Sequence, residues 1–360
     1  MQSEKPKNQL ARINGIQHIG IAVQDMDVSL KYYRKFFGLD IPFFDSVAAA
    51  PLMINHTNGE VITKRASMIM NLQGGCAVEV IRPTTFDPKK QLKTFELGDL
   101  GIGISLVKCK SVQDMHAFCV SNGAREVSDI CKLPDGKSTF SIQDIDGNLF
   151  QYVDGDSWFT DSGHPSGGMA GCTIAVSNIA KAKQLYSEIL GYNQVVFEET
   201  GVFEDFKHMN GGDKEFHRIR LTQGDKPGGG FARITGKTYI ELIQRSDSKM
   251  DRIFKGRIWA DSGFVHLGLD VRGMADLGKS LGEAGFNFTC DSNDALSMGQ
   301  TKVHCTYIDD PDRTWIELIE VYKVPIVEKW GLFLNVEKRN PNKPLPNLML
   351  KALKLSRIKD

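Results

Sequence analysis

The chain has 360 residues, and its 44 basic and 44 acidic side chains balance, so charge alone gives no reason to expect binding to nucleic acid or an anionic membrane. A hydrophobic content of 41% with 24% charged residues is typical of a soluble globular protein with two or three domains. The start is polar and no apolar run approaches the length of a membrane span, so we expect neither a secretory signal nor a membrane span. Seven scattered cysteines without a C-x-x-C pair predict a reduced, cytoplasmic protein without disulfides.

Four segments repeat one plan along the chain: a short apolar strand, a helix and a glycine. The strands are "HIGIAV", "GIGISLV", "GCTIAV" and "HLGLDV", and the glycines after the helices are Gly38, Gly123, Gly191 and Gly285. From the head of the strand to the glycine the offset is 20 residues in the first three units, counted from positions 18, 103 and 171, and 19 in the fourth, counted from 266. Glycine after a helix is typical of a left-handed C-terminal cap.

Each segment closes with a strand of related pattern, namely "CAVEVIRP", "GNLFQYVD", "KTYIELIQ" and "RTWIELIE". We therefore predict an α+β fold made of four βαβββ units, at about 13–85, 98–156, 168–246 and 262–322. The predicted organisation is an N-terminal arm (1–12), units 1 and 2 (13–156), a linker (157–167), units 3 and 4 (168–322) and a tail (323–360). The third unit carries a Gly-rich insertion at residues 210–231, "NGGDKEF…TQGDKPGGGF", which predicts a long hairpin or a mobile loop. The sequence of the tail predicts a short basic amphipathic helix that packs on the surface.

These repeats resemble the vicinal oxygen chelate superfamily, which includes glyoxalase I, methylmalonyl-CoA epimerase, extradiol dioxygenases and bleomycin-resistance proteins. The resemblance covers about residues 13–322. It implies that the units pair into two half-barrel cups. It also implies that each unit offers up to two metal ligands, one at the head of its first strand and one in its last strand.

Carried over by position, the resemblance gives these residues for units 1 to 4: His18 and Glu79, Gly103 and Gln151, Gly171 and Glu241, His266 and Glu317. Two units keep a complete His/Glu pair, so His18, Glu79, His266 and Glu317 are the predicted ligands of one divalent ion, which is Zn, Ni, Co, Mn or Fe. A glutamate within an apolar strand is costly to bury unless it is paired or bound to a metal. Because strands alternate their faces, the alternative is that such a glutamate points to solvent.

Two pairings of the units are open. Pairing in chain order, 1 with 2 and 3 with 4, resembles the extradiol and 4-hydroxyphenylpyruvate dioxygenases and would make Glu241 a ligand beside His266 and Glu317. Crossed pairing, 1 with 4 and 2 with 3, resembles single-chain glyoxalase I and brings all four predicted ligands together. We favour crossed pairing because it leaves one complete site and one decayed site.

The expected function is a glyoxalase-like isomerase or lyase. In it the metal acts as a Lewis acid that stabilises an enediolate, and Glu317 or Glu79, with Glu317 favoured, is the base. The substrate is then a small molecule with two adjacent oxygens, and the protein a monomer or homodimer. An Fe(II) ring-cleaving dioxygenase and a non-catalytic small-molecule binding or resistance protein are the alternatives.

Substrate determinants are less readable. Arg82, Arg233 and Arg245 could meet an anionic substrate, although a solvated or structural role is the favoured interpretation. Phe231, beside "GGG", could belong to a lid.

Overall fold

The computed structural model describes residues 12–91, 94–224, 228–247, 249–293, 296–298, 301–327, 332–336, 339–340 and 343–358. The predicted N-terminal arm, apart from Arg12, lies outside the described residues, as do parts of the third-unit insertion and of the tail.

All four predicted units are present. The first contains β1 (Arg12–Ala22), α1 (Met26–Phe37), β2 (Ile41–Ala49), β3 (Thr63–Met70) and β4 (Ala77–Pro83). The second contains β5 (Gly101–Cys109), α2 (Val112–Ser121), β6 (Cys131–Lys132), β7 (Ser138–Gln143) and β8 (Leu149–Asp154). The third contains β9 (Ser166–Ala175), α3 (Ile179–Lys183) with a π-helical continuation (Gln184–Ile189), β10 (Gln194–Gly201), β11 (Phe216–Thr222), α4 (Ala232–Thr235) and β12 (Tyr239–Arg245). The fourth contains β13 (Gly263–Arg272), α5 (Met274–Glu283), β14 (Cys290–Asp291), β15 (Leu296–Met298), β16 (Thr301–Asp309) and β17 (Trp315–Val327).

The tail adds a strand and a helix. β17 continues to Val327, beyond the predicted end of the fourth unit at 322, and pairs with β18 (Leu332–Asn335). The predicted tail helix is α6 (Asn347–Ala352), which is followed by a single 3₁₀ turn. The tail therefore extends the first sheet before it becomes helical.

The strands form two curled half-barrel sheets, as predicted. One sheet has the order β14-β16-β17-β13-β1-β4-β3-β2, with β15 on β16 and β18 on β17, and the other has the order β10-β11-β12-β9-β5-β8-β7-β6. Units 1 and 4 therefore share one half-barrel and units 2 and 3 share the other. This is the crossed arrangement, and the chain-order pairing that would place Glu241 beside His266 and Glu317 is wrong. The boundaries around the 157–167 linker stay a prediction.

The helices end as the glycine pattern predicts. Gly38, Gly123, Gly191 and Gly285 all have positive φ, between 60° and 87°, which glycine adopts without the steric cost of a Cβ atom. Asp25 caps the other end of α1 by accepting a hydrogen bond from the Val28 amide. Among the described residues, no helix has the length and apolar character needed to cross a membrane.

Units that are consecutive in the chain contact each other through buried Tyr–Asp hydrogen bonds. The Tyr33 hydroxyl of α1 donates to Asp144 at 2.7 Å, in the turn before β8. The Tyr186 hydroxyl of the third-unit helix donates in the same way to Asp310 at 2.9 Å, in the turn before β17. The two sheets are thus joined by equivalent bonds from unit 1 to unit 2 and from unit 3 to unit 4.

Candidate metal centre

The central strands of the first sheet place two histidines side by side. In the antiparallel pairing of β1 with β13, His18 lies opposite Gly268 and His266 lies opposite Gly20. A Cβ atom on either glycine would lie 2.3 Å from a ring atom of the opposite histidine. Each glycine therefore leaves the space that the imidazole of the other strand occupies.

The two outer neighbours of these strands supply the glutamates. β4 runs parallel to β1 with Glu79 beside Gly20, and β17 runs parallel to β13 with Glu317 beside Gly268. The site is symmetric. Units 1 and 4 each contribute one strand with an H-x-G motif and one strand with a glutamate.

The structure brings all four predicted ligands together in the interior. Their ligand atoms lie within 4.8 Å of one another, and all four residues are buried. The Nε2 atoms of His18 and His266 are 2.8 Å apart. From these nitrogens to Oε2 of Glu317 the distances are 3.0 and 3.2 Å, and to Oε2 of Glu79 they are 3.6 and 3.3 Å.

These separations fit one metal ion. Two donor atoms that each lie about 2.1 Å from an ion are about 3 Å apart at a right angle and about 3.4 Å apart at the tetrahedral angle. Two imidazoles and two carboxylates are also a donor set for Zn, Ni, Co, Mn or Fe. The Oε1 atom of Gln17 lies 3.2 Å from Nδ1 of His18, which favours a hydrogen on Nδ1 and leaves the Nε2 lone pair for an ion.

Without an ion, the charged groups of this cluster stabilise one another. Burial alone would raise the pKa of Glu79, but the Lys64 cation and His266 outweigh it and lower the pKa to about 2. Burial alone would lower the pKa of His266, but Glu317 and Glu79 raise it to about 9. In Glu317 the two histidines outweigh burial and hold the pKa well below its usual range. The carboxylates therefore stay ionised, the form that binds a cation.

The two glutamates have different outer contacts. Lys64 Nζ lies 3.4 Å from Oε1 of Glu79 and also over the ring of Trp259, 5.2 Å from its centroid. Oε1 of Glu317 instead accepts a hydrogen bond from the Cys305 thiol at 3.0 Å. One glutamate is thus paired with a cation and the other with a neutral thiol.

Comparison with known proteins gives one family match. Residues 15–152 match the model of the Glyoxalase/Bleomycin resistance protein/Dioxygenase superfamily. A search of curated protein sequences finds no match.

Solved structures of the superfamily share the fold at low identity. A single-residue mutant of glyoxalase I from Zea mays has 15% identity and a TM-score of 0.54, over 86% of this chain and 92% of that chain. Another structure of glyoxalase I from Zea mays has 15% identity and a TM-score of 0.53, over 96% of both chains. A putative dioxygenase from Bacillus subtilis has 14% identity and a TM-score of 0.55, over 86% of both chains. These similarities show the fold across units 1 to 4. The reaction has to be inferred from the residues of the site.

The second cup of this superfamily fold holds a buried ion-pair network in place of the His/Glu cluster. The Arg218 guanidinium binds both oxygens of Asp205 at 2.8 and 2.9 Å and lies 3.0 Å from Glu241. Arg220 Nε donates to Glu241 at 2.7 Å, and Gln151 donates to Asp205 at 2.9 Å. The guanidinium groups neutralise the carboxylates here, so Glu241 has its countercharge within the protein.

One assignment in the second cup is wrong by one residue. Gln151 of β8 lies beside Leu106 of β5, as Glu79 lies beside Gly20, so the position equivalent to His18 is Ile104 and not Gly103. Counting 20 residues back from Gly123 reaches Gly103, and only the pairing of β5 with β8 shows that the equivalent residue is one position further on. With Ile104 at the head, the offset to the helix-ending glycine is 19 in units 2 and 4 and 20 in units 1 and 3.

The third-unit position is occupied as predicted by Gly171. A Cβ atom there would lie 1.9 Å from the Tyr239 carbonyl oxygen, so no ligating side chain fits this backbone.

Sequence reasoning missed several residues that shape the two cups. For the first cup a signal existed, because Gly20 and Gly268 both stand two residues after a predicted ligand in an H-x-G motif. Asp205 lies in a 3₁₀ turn (Glu204–Phe206) between β10 and β11, and nothing local in the sequence indicates that it reaches the second cup. Cys305 and Lys64 likewise become neighbours of the glutamates only through strand pairing.

Proposed function

We propose that the protein is a metal-dependent isomerase or lyase of glyoxalase type. It would move a proton between neighbouring carbons of a small substrate that carries two adjacent oxygens. His18, Glu79, His266 and Glu317 would hold the divalent ion. The observation that carries the proposal is the set of four buried donor atoms from two units, at separations that suit one ion.

The ion, when bound, supplies a Lewis acid that polarises the adjacent oxygens of the substrate. The chain itself supplies the base. Both Glu79 and Glu317 line the cavity above the site, but Glu79 is paired with the Lys64 cation, which stabilises its charged form and makes it a poorer proton acceptor. Glu317 contacts a neutral thiol instead, and the two histidines that lower its pKa would become neutral on binding the ion, so Glu317 would be the better base.

Glu317 would take the proton from the carbon next to one oxygen and return it to the neighbouring carbon. Such a positioned carboxylate typically contributes about 10²–10⁴-fold to the rate. The imidazoles of His18 and His266 would act as neutral ligands and take no part in the proton transfer.

Metal content and proton exchange test the proposal together. Purified protein loaded with Zn, Ni, Co, Mn or Fe is incubated in D₂O with an α-hydroxy ketone, and exchange of the α proton is followed by NMR. Glu317→Gln at saturating metal should lower the exchange rate about 10²–10⁴-fold, and Glu79→Gln should lower it less once the ion is bound. Glu241→Gln, in the second cup, should leave the metal content and the exchange rate unchanged.

The alternatives predict different results. Oxygen consumption with a catechol substrate, without α-proton exchange, would establish ring-cleaving dioxygenase chemistry instead. Metal content that survives both His18→Ala and His266→Ala would contradict the proposed ligand set.

A further inference from the structure

A cavity opens directly above the candidate metal centre. It measures about 120 Å³, counted as the space open to the centre of a water molecule, and His18, Glu79 and Glu317 form part of its floor. By this measure one water needs roughly 10–15 Å³, so the cavity holds on the order of ten water-sized groups. That is room for the body of a small organic molecule.

The walls of this cavity are apolar. From units 1 and 4 they comprise Phe43, Phe44, Met68, Met70, Val303 and Ile319. Their strands, β2, β3, β16 and β17, lie on both sides of the central pair β1 and β13. The half-barrel therefore presents hydrocarbon around its polar floor.

The roof comes from two segments outside the first sheet. Phe231 ends the third-unit insertion and Thr235 ends the short helix α4 that follows it, whereas Leu345, Met349 and Leu350 belong to the tail. The Leu345 amide donates to the Gly230 carbonyl at 2.9 Å, which ties the tail to the insertion. The ring of Phe231 also meets that of Phe43, with centroids 6.0 Å apart and an edge-to-face geometry.

The tail is fixed on both sides of the roof. Arg233 donates to the Asn347 side chain at 2.6 Å, and the Ile358 amide donates to the Asp40 carbonyl at 2.9 Å. Leu350, on α6, is only 1% exposed, whereas Leu348 on the same helix is 82% exposed. The helix thus turns one face toward the cavity and the other to solvent.

No lysine or arginine is among the described residues that line the cavity. The three arginines that could have met an anionic substrate bind protein groups instead: Arg82 donates to the Gln24 carbonyl, Arg233 to Asn347, and Arg245 lies 3.1 Å from Glu96. The two glutamates of the floor balance the charge of a divalent ion, and the further cation beside them, Lys64, contacts Glu79 and does not line the cavity. A carboxylate or phosphate on the body of a substrate would therefore be buried here without a countercharge, at a large free-energy cost.

We propose that the substrate of this site is an uncharged molecule with an apolar aromatic or branched alkyl body and two adjacent oxygens at one end. The oxygens face the floor and the body fills the space under the tail and the insertion. This inference rests on the proposed function, since it assigns the substrate class to that same metal site. It excludes a substrate whose cavity-bound part is a peptide or phosphate anion.

A pair of catechols that differ in charge tests the proposal. 4-Isopropylcatechol and 3,4-dihydroxybenzoate have nearly the same shape, and both present two adjacent oxygens. Each is titrated into the full-length protein loaded with Co(II), and binding is followed by the visible spectrum of the ion. The isopropyl compound should bind on the order of tenfold or more tightly, because its apolar group is buried without an uncompensated charge.

Substitutions on α6 test whether the catechols bind in this cavity. Met349→Lys adds a cation to the roof and should strengthen binding of 3,4-dihydroxybenzoate while weakening that of 4-isopropylcatechol. Met349→Gln is the neutral counterpart and should weaken only the isopropyl compound. Leu348→Lys adds the same charge on the exposed side of the same helix and should change neither affinity.

The outcomes separate this inference from the proposed function. If Co(II) does not bind, or if neither catechol changes its spectrum, the metal-dependent function itself is contradicted. If both catechols change the spectrum and bind equally, or if the carboxylate binds more tightly, the ion is in place and the substrate class is wrong. Equal effects of Met349→Lys and Leu348→Lys would likewise overturn the assignment to this cavity.

Discussion

The imidazole of His266 occupies the space that a side chain on Gly20 would need, and the imidazole of His18 stands in the same relation to Gly268. Each imidazole thus fits into the space beside a glycine of the opposite central strand, which has no side chain. The first sheet can bring its two histidines to a distance of 2.8 Å only because both H-x-G motifs are present.

Gly20→Ala and Gly268→Ala should both weaken metal binding. A methyl group 2.3 Å from the opposite ring forces the histidine to move, and misplacing a ligand or its support typically costs about 10–100-fold in affinity. Competition with a chelator measures the change. Gly201→Ala, in β10, is the matched control, since a Cβ atom there meets nothing within 4 Å. Equal affinities in the variants and the control would contradict this role.

Removing Arg218 should destabilise the protein without affecting the metal. Arg218→Met leaves Asp205 buried without its arginine partner and leaves Glu241 with Arg220 alone, which costs about 3–5 kcal/mol in free energy of unfolding. Lys110→Met breaks an exposed pair with Asp161 and should cost less than about 1 kcal/mol. Urea denaturation measures both variants. A metal content that falls with Arg218→Met in folded protein would argue against the separation of the two cups.

The thiol of Cys305 should support Glu317 through their hydrogen bond. Burial raises the pKa of this thiol well above its ordinary value, so it stays protonated and donates. Cys305→Ala should lower metal affinity roughly tenfold, whereas Cys305→Ser keeps a donor and should change it little. Cys119→Ala, a buried cysteine on α2, controls for the loss of a sulfur atom elsewhere. If Ala and Ser at position 305 behave alike, the hydrogen bond does not position the ligand.

The burial of Asp144 gives stability a specific dependence on pH. Burial raises the pKa of Asp144 to about 6, above the value of about 3.9 expected in the unfolded chain. The folded state then binds this proton more tightly, so the contribution is complete below about pH 4 and is lost as the pH rises through about 6. Asp144→Asn should flatten the fall in unfolding free energy between pH 4.5 and 6.5, as measured by urea denaturation at several pH values. An unchanged slope would show that Asp144 does not titrate in this range.

The repeats made much of the fold predictable. Three features recur at nearly fixed offsets: the strand heads, the helix-ending glycines such as Gly38 and Gly285, and the closing strands. These are local features that each unit needs for its own backbone. The loss of strand-head histidines in the middle units also indicated that units 1 and 4 belong together.

The rest depends on contacts that no local pattern contains. Arg218 and Arg220 stand two residues apart on one face of β11, a spacing that equally suits a solvent-exposed face. The face can be buried only because the carboxylates of Asp205 and Glu241, which come from other segments of the chain, neutralise the two arginines. The misplacement of Gly103 has the same origin, because only the pairing of β5 with β8 identifies the residue equivalent to His18.

Crossed pairing also has a consequence for synthesis. His18 and His266 are separated by 248 positions in the chain, so β1 emerges from the ribosome long before its central partner β13. At about 5–20 residues per second the delay is roughly 12–50 s. During that time the second sheet can already form from units 2 and 3, whereas the edge of β1 that will receive β13 has no partner. We therefore expect the first half-barrel to close only after the last unit has been synthesised.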